Sequence, residues 1–287
     1  MGNDRYSKRE LSDVFNKRLG LKHVEFLGPI YKKRDSDISL ENLPVYRYMH
    51  YPHVKNMFTS ENPALFFVSP EKWDDPMEKR FAQGNYNKAK NFTKKSLACM
   101  CVTVNAADNE AAAWVMYDKD HENDLVRLTY RFGTLLKILD DYVAGKDAKV
   151  YVSGVNYVPI EEIESPKTAD AEIFSDTDFL KLMLLKRKSF MFEGEIRIMI
   201  YGRDVSLDDK KTLQVPFKDV KSLVRSIRLS PDDSKRAVSK EIVQSDVRAL
   251  VKVTQSRLNA CAHKFTLKNK EKKEASSTCV EAFRQPC

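Results

Sequence analysis

The segment SFMFEGEIRIMIY, residues 189–201, joins a core strand to a row of charged side chains. Isoleucine occupies every second position of its second half, and this alternation predicts a strand with one buried face. Glu193, Glu195 and Arg197 share the opposite face, because side chains two apart in a strand point the same way. Charged groups in a core strand are costly unless they are paired. The row therefore predicts either a functional site or a structural ion network, for instance one that pairs Glu195 with Arg197 or Arg47.

Length and composition fit one domain with additional segments at its ends. The chain has 287 residues, of which 42% are hydrophobic and 31% are charged, enough for a packed core in a soluble protein. No apolar run approaches the ~20 residues of a membrane helix, and no secretory signal is visible, so we expect a cytoplasmic protein without membrane contact. The five cysteines form no Cys-x-x-Cys pair, which favours free thiols in a reducing compartment.

The net charge of +8 is concentrated at the two ends of the chain. Residues 1–40 carry a surplus of three positive charges and residues 255–287 a surplus of four, so the middle carries only one. A nucleic-acid groove built into the fold would be expected to charge the middle. Nucleic-acid binding by the basic ends is one alternative, but solvated tails are the commoner explanation of such a bias.

Strand and helix patterns are mixed along the chain without strict β-α-β alternation. The predicted strands cover residues 44–51, 64–69, 96–104, 124–132, 148–159, 195–201, 211–217, 220–230 and 250–258. The predicted helices cover residues 7–20, 53–60, 109–117, 133–144, 176–190 and 230–246. These patterns predict a single α+β domain with a mostly antiparallel or split β-sheet flanked by helices.

The core domain is expected to span residues 41–262, where all but one of these patterns fall. Residues 1–40 are interpreted as a helical, basic N-terminal extension. Residues 263–287 are basic and have no core periodicity, so a disordered tail is expected there.

Polar side chains embedded in or next to apolar strands are the candidates for chemistry. The sequence has no Walker loop and no Gly-x-Gly-x-x-Gly or His-Glu-x-x-His motif, which argues against a phosphate-cradling nucleotide fold. His50 and His53 have no matching Cys/His cluster, so no metal site is expected. Four sets remain: Arg47 with His50; Ser69, Trp73, Asp74, Asp75 and Glu78; Trp114, Tyr117 and His121; and Glu193, Glu195 and Arg197.

In this order the motifs resemble the bacterial domain-of-unknown-function family 2971. The matching segments are VYRYMHY, ALFFVSPEKWDDPMEKRF, AAAWVMYDKDHENDLVRLTY, VNYVP and KRKSFMFEGEIRIMI, within about residues 44–202, with weaker continuation to about 260. The sequence departs from the family pattern at Asp74, where asparagine is usual, and at Ile196, which replaces the usual aromatic residue. Phe192 fills the aromatic position before the glutamates, and the acidic and proline positions are intact.

The layout of three strands is also similar to that of ADP-ribosyltransferases, with the nucleobase-modifying toxins closest. In that superfamily a first strand bears Tyr, Arg or His, a second ends in Ser, and a late strand bears Glu. The resemblance implies an ADP-ribosyltransferase-like fold with NAD as substrate. It implies that Glu195 contacts the nicotinamide ribose and stabilises the oxocarbenium charge, that Glu193 orients or deprotonates the acceptor, and that Arg197 keeps Glu195 ionised. The implied NAD-binding residues are Arg47, Tyr48, His50, Ser69, Asp75, Trp114 and Tyr117.

The sequence thus leads to the expectation of an NAD-consuming ADP-ribosyltransferase-like enzyme, with a toxin or an anti-phage effector as its setting. NAD hydrolysis without an acceptor is a close variant, and a non-catalytic ligand- or protein-binding module of the same fold is the alternative. The acceptor, nucleic acid or protein, is not specified by the sequence. Glu195 rather than Glu193 is expected to be the essential carboxylate, and Arg47, Asp75 and Glu195 are expected to line one concavity.

Deletion of residues 266–287 is predicted to leave the fold intact, because this segment has no apolar periodicity that a core could bury. The melting temperature of the shortened chain should therefore stay close to that of the full chain. A loss of several degrees would show that the tail packs against the domain.

Overall fold

The computed structural model of the chain describes residues 5–32, 39–73, 75–76, 78–79, 94–104, 113–114, 117, 124–163, 175–230, 240–247 and 251–255. The predicted tail at 263–287 lies outside the described residues, as do Asp74, His121 and most of the helix predicted at 109–117.

The described residues form strands and helices that alternate irregularly along the chain. The strands are β1 Arg5–Tyr6, β2 Val24–Phe26, β3 Ile30–Tyr31, β4 Pro44–His50, β5 Ala64–Val68, β6 Ser96–Thr103, β7 Leu125–Arg131, β8 Ala148–Gly154, β9 Asn156–Val158, β10 Leu185–Arg187, β11 Glu195–Gly202, β12 Thr212–Pro216, β13 Val224–Leu229 and β14 Lys252–Gln255. The α-helices are α1 Lys8–Ser12, α2 Tyr51–Thr59, α3 Phe132–Val143, α4 Ile160–Ile163, α5 Asp176–Leu182, α6 Val220–Leu223 and α7 Lys240–Asp246. Single turns of other helix types lie at Asp13–Arg18, Leu40–Asn42, Pro70–Lys72 and Lys188–Glu193.

Ten of the described strands form one large sheet. Its main path runs β14-β13-β7-β4-β6-β11-β8-β2, and the β5–β12 pair branches from β6. Within it, only the β13–β14 and β2–β8 pairs are parallel among the described contacts. The predicted α+β class with a mostly antiparallel sheet is therefore confirmed.

The large sheet forks at β6. One edge of β6 pairs with β11 along its whole length. The other edge is shared, because Thr103 pairs with Tyr46 of β4 whereas Cys99 pairs with Val68 of β5. β4 and β5 therefore diverge from the same edge of one strand, which is a split sheet of the kind expected from the sequence.

The two faces of β11 pack against different layers. Ile196, Ile198 and Ile200 are fully buried in the main hydrophobic core, which α3 also covers. On the other face, Met199 and Tyr201 belong to a smaller apolar cluster with residues of α5. Full burial of one such aliphatic side chain contributes about 1.5–3 kcal/mol, so the apolar face fixes the strand in place. The charged row then points away from the main core.

The helix predicted at 176–190 is shorter in the structure. α5 ends at Leu182, and Leu185–Arg187 pairs in parallel with β9 as β10. Apolar residues continue at helical spacing beyond Leu182, but the strand is stabilised by its pairing with β9 and by the hydrogen bonds from Lys186 to Glu193 and Glu195. Tertiary context has overridden the local pattern here.

Residues 5–32, taken from the sequence as part of an extension, pack within the domain. Phe15 is fully buried and meets Phe132 of α3 edge-on at a ring-centroid distance of 5.4 Å. The predicted start of α1 is confirmed, because Ser7 and Glu10 form a capping box. The segment's basic residues lie mainly on its solvent side, which is why its charge suggested an appendage.

Replacement of Phe15 by alanine is predicted to lower the free energy of unfolding by about 3–5 kcal/mol, because it empties a core site shared with α3. Urea denaturation of the full chain measures this change. Leu19→Ala is the matched control, since Leu19 is 39% exposed and should change stability by no more than about 0.5 kcal/mol. Equal effects of the two substitutions would show that the N-terminal segment contributes nothing to the core.

Candidate functional site

Five charged side chains form a buried group, here called the charged cluster, on the face of β11 that points away from the main core. Lys186 Nζ lies 2.5 Å from Glu193 Oε2 and 2.6 Å from Glu195 Oε2. Arg197 donates to Glu195 Oε1 at 2.9 Å and to Glu78 Oε1 at 2.8 Å. Each of these side chains is at most 9% exposed. The ion network that the sequence left open is thus present, with Arg197 and not Arg47 as the partner of Glu195.

Three elements position Glu193 and Glu195: the 3₁₀ turn that precedes β11, β9 and β10. Glu193 is the last residue of a 3₁₀ turn, and Gly194 follows in the left-handed region at φ 53°. Glycine adopts this conformation at little cost, and it redirects the chain into β11. Glu195 then opens the strand, where its backbone N–H donates to the Tyr157 hydroxyl of β9 at 2.9 Å. Lys186, the middle residue of the neighbouring β10, reaches both carboxylates.

The charges of the cluster do not balance, because three carboxylates face two cations. Burial raises the pKa of Glu195, but Arg197 and Lys186 outweigh burial and hold this pKa well below its usual range. Burial also raises the pKa of Glu193, where Lys186 lowers it only in part and the negative charge of Glu195 raises it again, to about 7. Two neighbouring carboxylates therefore have opposite protonation behaviour near neutral pH.

Three aromatic residues among those implied to bind NAD come together as an aromatic cluster. The Tyr48 ring stacks on Tyr117 at 5.3 Å between centroids and meets Trp114 edge-on at 4.9 Å. Burial, followed by the charges of Glu193 and Glu195, raises the pKa of the Tyr117 hydroxyl well above its ordinary value. Tyr117 as a whole residue is 40% exposed. The aromatic cluster thus adjoins the two carboxylates and keeps an open side.

Arg47 lies on the opposite face of the sheet from the charged cluster. Tyr46 is paired with Thr103, which is paired in turn with Glu195, so these three side chains share a face. Arg47 alternates with Tyr46 and points to the other side. Its guanidinium donates to the Phe66 carbonyl of β5 at 3.2 Å. Arg47 therefore bridges the fork between β4 and β5, and the structure does not bring it together with Glu195.

The segment after β5 covers the charged cluster. Ser69 is fully buried and caps the 3₁₀ turn, where its hydroxyl accepts from the Glu71 backbone N–H at 3.3 Å. Trp73 follows and places its ring 4.2 Å from the Arg197 guanidinium. Glu78 completes the ion network from the same segment. Ser69 thus has a positioning role in the turn, whereas Trp73 and Glu78 contact the charged row directly.

Asp75 and His50 have partners at the margins of the site. Asp75 Oδ2 lies 2.5 Å from the Arg187 guanidinium, next to Lys186 in β10. His50 Nδ1 lies 2.5 Å from Asp124 Oδ1, at the end of β4 beyond Tyr48. Asp75 therefore binds Arg187, the residue that follows Lys186 of the charged cluster in the chain. His50 lies on the same face of β4 as Tyr48, but its ring pairs with Asp124.

Lys186 is the member of the charged cluster that sequence reasoning missed. It lies in the run Lys186–Lys188, near the end of the helix predicted at 176–190, and was not among the candidate residues. One signal could have found it. Glu78, Glu193 and Glu195 were all candidates for burial, and Arg197 alone could not neutralise three carboxylates.

Comparisons with protein-family models, with curated proteins and with solved structures gave no match to this chain. Among the residues that the structure describes, no helix is both long enough and apolar enough to cross a membrane. Within the same ranges, no three His, Cys, Asp or Glu side chains are arranged to hold a metal ion.

The stability of the protein is predicted to fall as the pH rises from about 4.5 to about 7 because of Glu193. In this window the folded state holds a proton on Glu193 that the unfolded chain has released, so deprotonation favours unfolding. The glutamine side chain of Glu193→Gln is neutral at every pH, so this variant lacks the pH-dependent loss of stability that Glu193 causes. Urea denaturation should show the variant gaining about 1–3 kcal/mol relative to the wild type between about pH 5 and pH 8.

Glu195→Gln is the contrasting variant. It removes the carboxylate that contacts both Arg197 and Lys186, so we expect a loss of about 3–5 kcal/mol with little dependence on pH in this range. A stability difference between Glu193→Gln and wild type that stays constant with pH would show that Glu193 does not titrate there.

Proposed function

We propose that this chain is an NAD-consuming enzyme of the ADP-ribosyltransferase type, acting where the charged cluster meets the aromatic cluster. The observation that carries the proposal is the pair of carboxylates at the start of β11, of which Glu195 contacts both Arg197 and Lys186, whereas Glu193 contacts Lys186. These contacts hold the pKa of Glu195 well below its usual range, whereas burial raises that of Glu193 to about 7. Environments that push two neighbouring pKa values apart are a mark of acid–base sites. The sequence resemblance favours a toxin or an anti-phage effector as the biological setting.

Glu195 supplies the fixed negative charge. When the bond between C1′ of the ribose and the nicotinamide nitrogen breaks, the electron pair leaves with neutral nicotinamide and positive charge develops on the ribose. A carboxylate held ionised by Arg197 and Lys186 stabilises that charge, and its field is strong because the surroundings are dry. The carboxylate needs no reorganisation during the reaction, since its hydrogen bonds already fix it.

Glu193 acts as the general base. A base with a pKa near the working pH accepts a proton efficiently as the nucleophile attacks. The acceptor O–H or N–H loses its proton to Glu193 while its oxygen or nitrogen bonds to C1′. With a macromolecular acceptor the product is an ADP-ribosylated nucleic acid or protein. With water as the acceptor the products are ADP-ribose and nicotinamide, which is NAD hydrolysis.

The aromatic cluster offers a surface for a planar ring. Tyr48 contacts both Trp114 and Tyr117, and aromatic side chains bind nicotinamide or adenine rings through their faces. The fork at β6 supports binding of the ring at this surface. β4 pairs with β6 at Tyr46 and then diverges from it, and Tyr48 lies on the same face of the sheet as Glu195. Substrate would then lie over the aromatic cluster with its ribose directed toward Glu193.

A non-catalytic ligand- or protein-binding module is the second candidate. One observation favours it: each charged side chain of the cluster is paired with another member of the cluster. A purely structural network has this property as well. The two candidates differ in outcome, since a module binds NAD at most, whereas an enzyme releases nicotinamide.

The test is nicotinamide release by the purified full chain, with NAD alone and with RNA, single-stranded DNA or protein extract as acceptor. We expect release by the wild type and a loss of about 100-fold or more in Glu193→Gln, because the general base is gone. Glu61→Gln is the control, since Glu61 is an exposed carboxylate outside both clusters and its loss should leave the rate unchanged.

Glu195→Gln is expected to lose activity by about 100- to 1000-fold, but its melting temperature must be measured alongside because the same change weakens the fold. Nicotinamide release by none of these mixtures would refute the enzyme and leave the binding module. A Glu193→Gln variant as active as an active wild type would refute the general-base role of Glu193.

A further inference from the structure

We propose that Lys186 is a positioning residue that weakens the hold of Glu193 on the one exchangeable proton of the charged cluster, while the additional contact of Glu195 with Arg197 keeps that proton off Glu195. Its Nζ lies 2.5 Å from Glu193 Oε2, 2.6 Å from Glu195 Oε2 and 3.9 Å from Glu78 Oε2. Lys186 is thus within ion-pair distance of all three carboxylates. Arg197, by contrast, forms ion pairs with Glu195 and Glu78.

The distribution of these contacts decides which carboxylate takes the proton. Glu195 contacts both cations, and Glu78 contacts Arg197 closely and Lys186 at longer range. Glu193 contacts only Lys186 among the cations of the charged cluster. With three carboxylates and two cations, the excess negative charge is neutralised most easily where the fewest cations lie. A proton entering the cluster therefore resides on Glu193.

The other groups around Glu193 leave this assignment unchanged. The phenols of Tyr117 and Tyr157 lie within electrostatic range, and burial, as the largest cause, raises the pKa of each, so both stay neutral near pH 7. Arg187, the next residue after Lys186 in β10, forms an ion pair with Asp75 at 2.5 Å. The three carboxylates raise the pKa of Lys186 against the lowering effect of burial, so the lysine stays cationic.

The catalytic consequence rests on the proposed function, whereas the placement of the proton does not. If Glu193 is the general base, the acidic limb of the pH profile of kcat/KM reports its deprotonation. Lys186 then sets the pH at which the enzyme becomes active without touching the substrate. A lysine that only braced the fold would not move that limb.

Carbon-13 NMR of the full chain labelled at glutamate carboxyl carbons follows the titration directly, and Glu193→Gln identifies the signal. Lys186→Met keeps the aliphatic stem and removes the charge, so the pKa of Glu193 should rise by about one unit or more. Lys186→Arg keeps the charge and should hold this pKa within about half a unit of the wild type. A Glu193 signal that is unchanged or shifted downward in folded Lys186→Met overturns the proposal.

A compensated variant keeps the test decisive if Lys186→Met fails to fold. Combining Lys186→Met with Glu78→Gln removes one charge of each sign, so the cluster keeps one excess negative charge. The pKa of Glu193 should still rise, because its own ion-pair partner is gone. An unchanged pKa would show that net charge and not contact controls the proton, and would overturn the proposal. Failure of the wild type to release nicotinamide removes the proposed enzyme but does not alter these NMR outcomes.

Discussion

The cost of burying charge is the constraint on which this structure depends. Each ion taken from water costs several kcal/mol, and only close partners offset that cost. The charged cluster meets the requirement by drawing side chains from β10, β11, the 3₁₀ turn before β11 and the segment after β5. Pieces of chain more than a hundred residues apart, such as Glu78 and Arg197, are thereby fixed to one another.

In the proposed enzyme, the same constraint accounts for the different roles of Glu195 and Glu193. Had a third cation been present, each carboxylate would be ionised and inert near neutral pH. With two cations, the cluster holds Glu195 ionised and leaves Glu193 able to exchange a proton. The excess of three carboxylates over two cations is a single negative charge, and one proton on Glu193 neutralises it. In the proposed enzyme, Glu193 lies near the aromatic cluster, where Tyr117 is 40% exposed and offers a side from which substrate would approach.

Local pattern was sufficient to predict β11 and its charged row, because a period of two fixes which side chains share a face. It was insufficient for Lys186, since apolar spacing after α5 fits a helix and only pairing with β9 reveals the strand. The sequence itself argues against placing both Arg47 and Tyr48 in one NAD site, because adjacent residues in a strand point to opposite faces. The fork could not be located from the sequence, because it depends on which residues of β6 two distant strands choose as partners.

The fork has a mechanical consequence. Neighbouring strands in a sheet are held about 4.8 Å apart by a ladder of main-chain hydrogen bonds, which makes their spacing nearly invariant. Between β4 and β5 the structure describes a side-chain hydrogen bond, which the Arg47 guanidinium donates to the Phe66 carbonyl. Such a contact differs from a main-chain ladder, because the arginine side chain has rotatable bonds and a different side chain would have a different length. A substitution at Arg47 would therefore remove this contact between β4 and β5 while β4 keeps its pairing with β7 and β5 its pairing with β12.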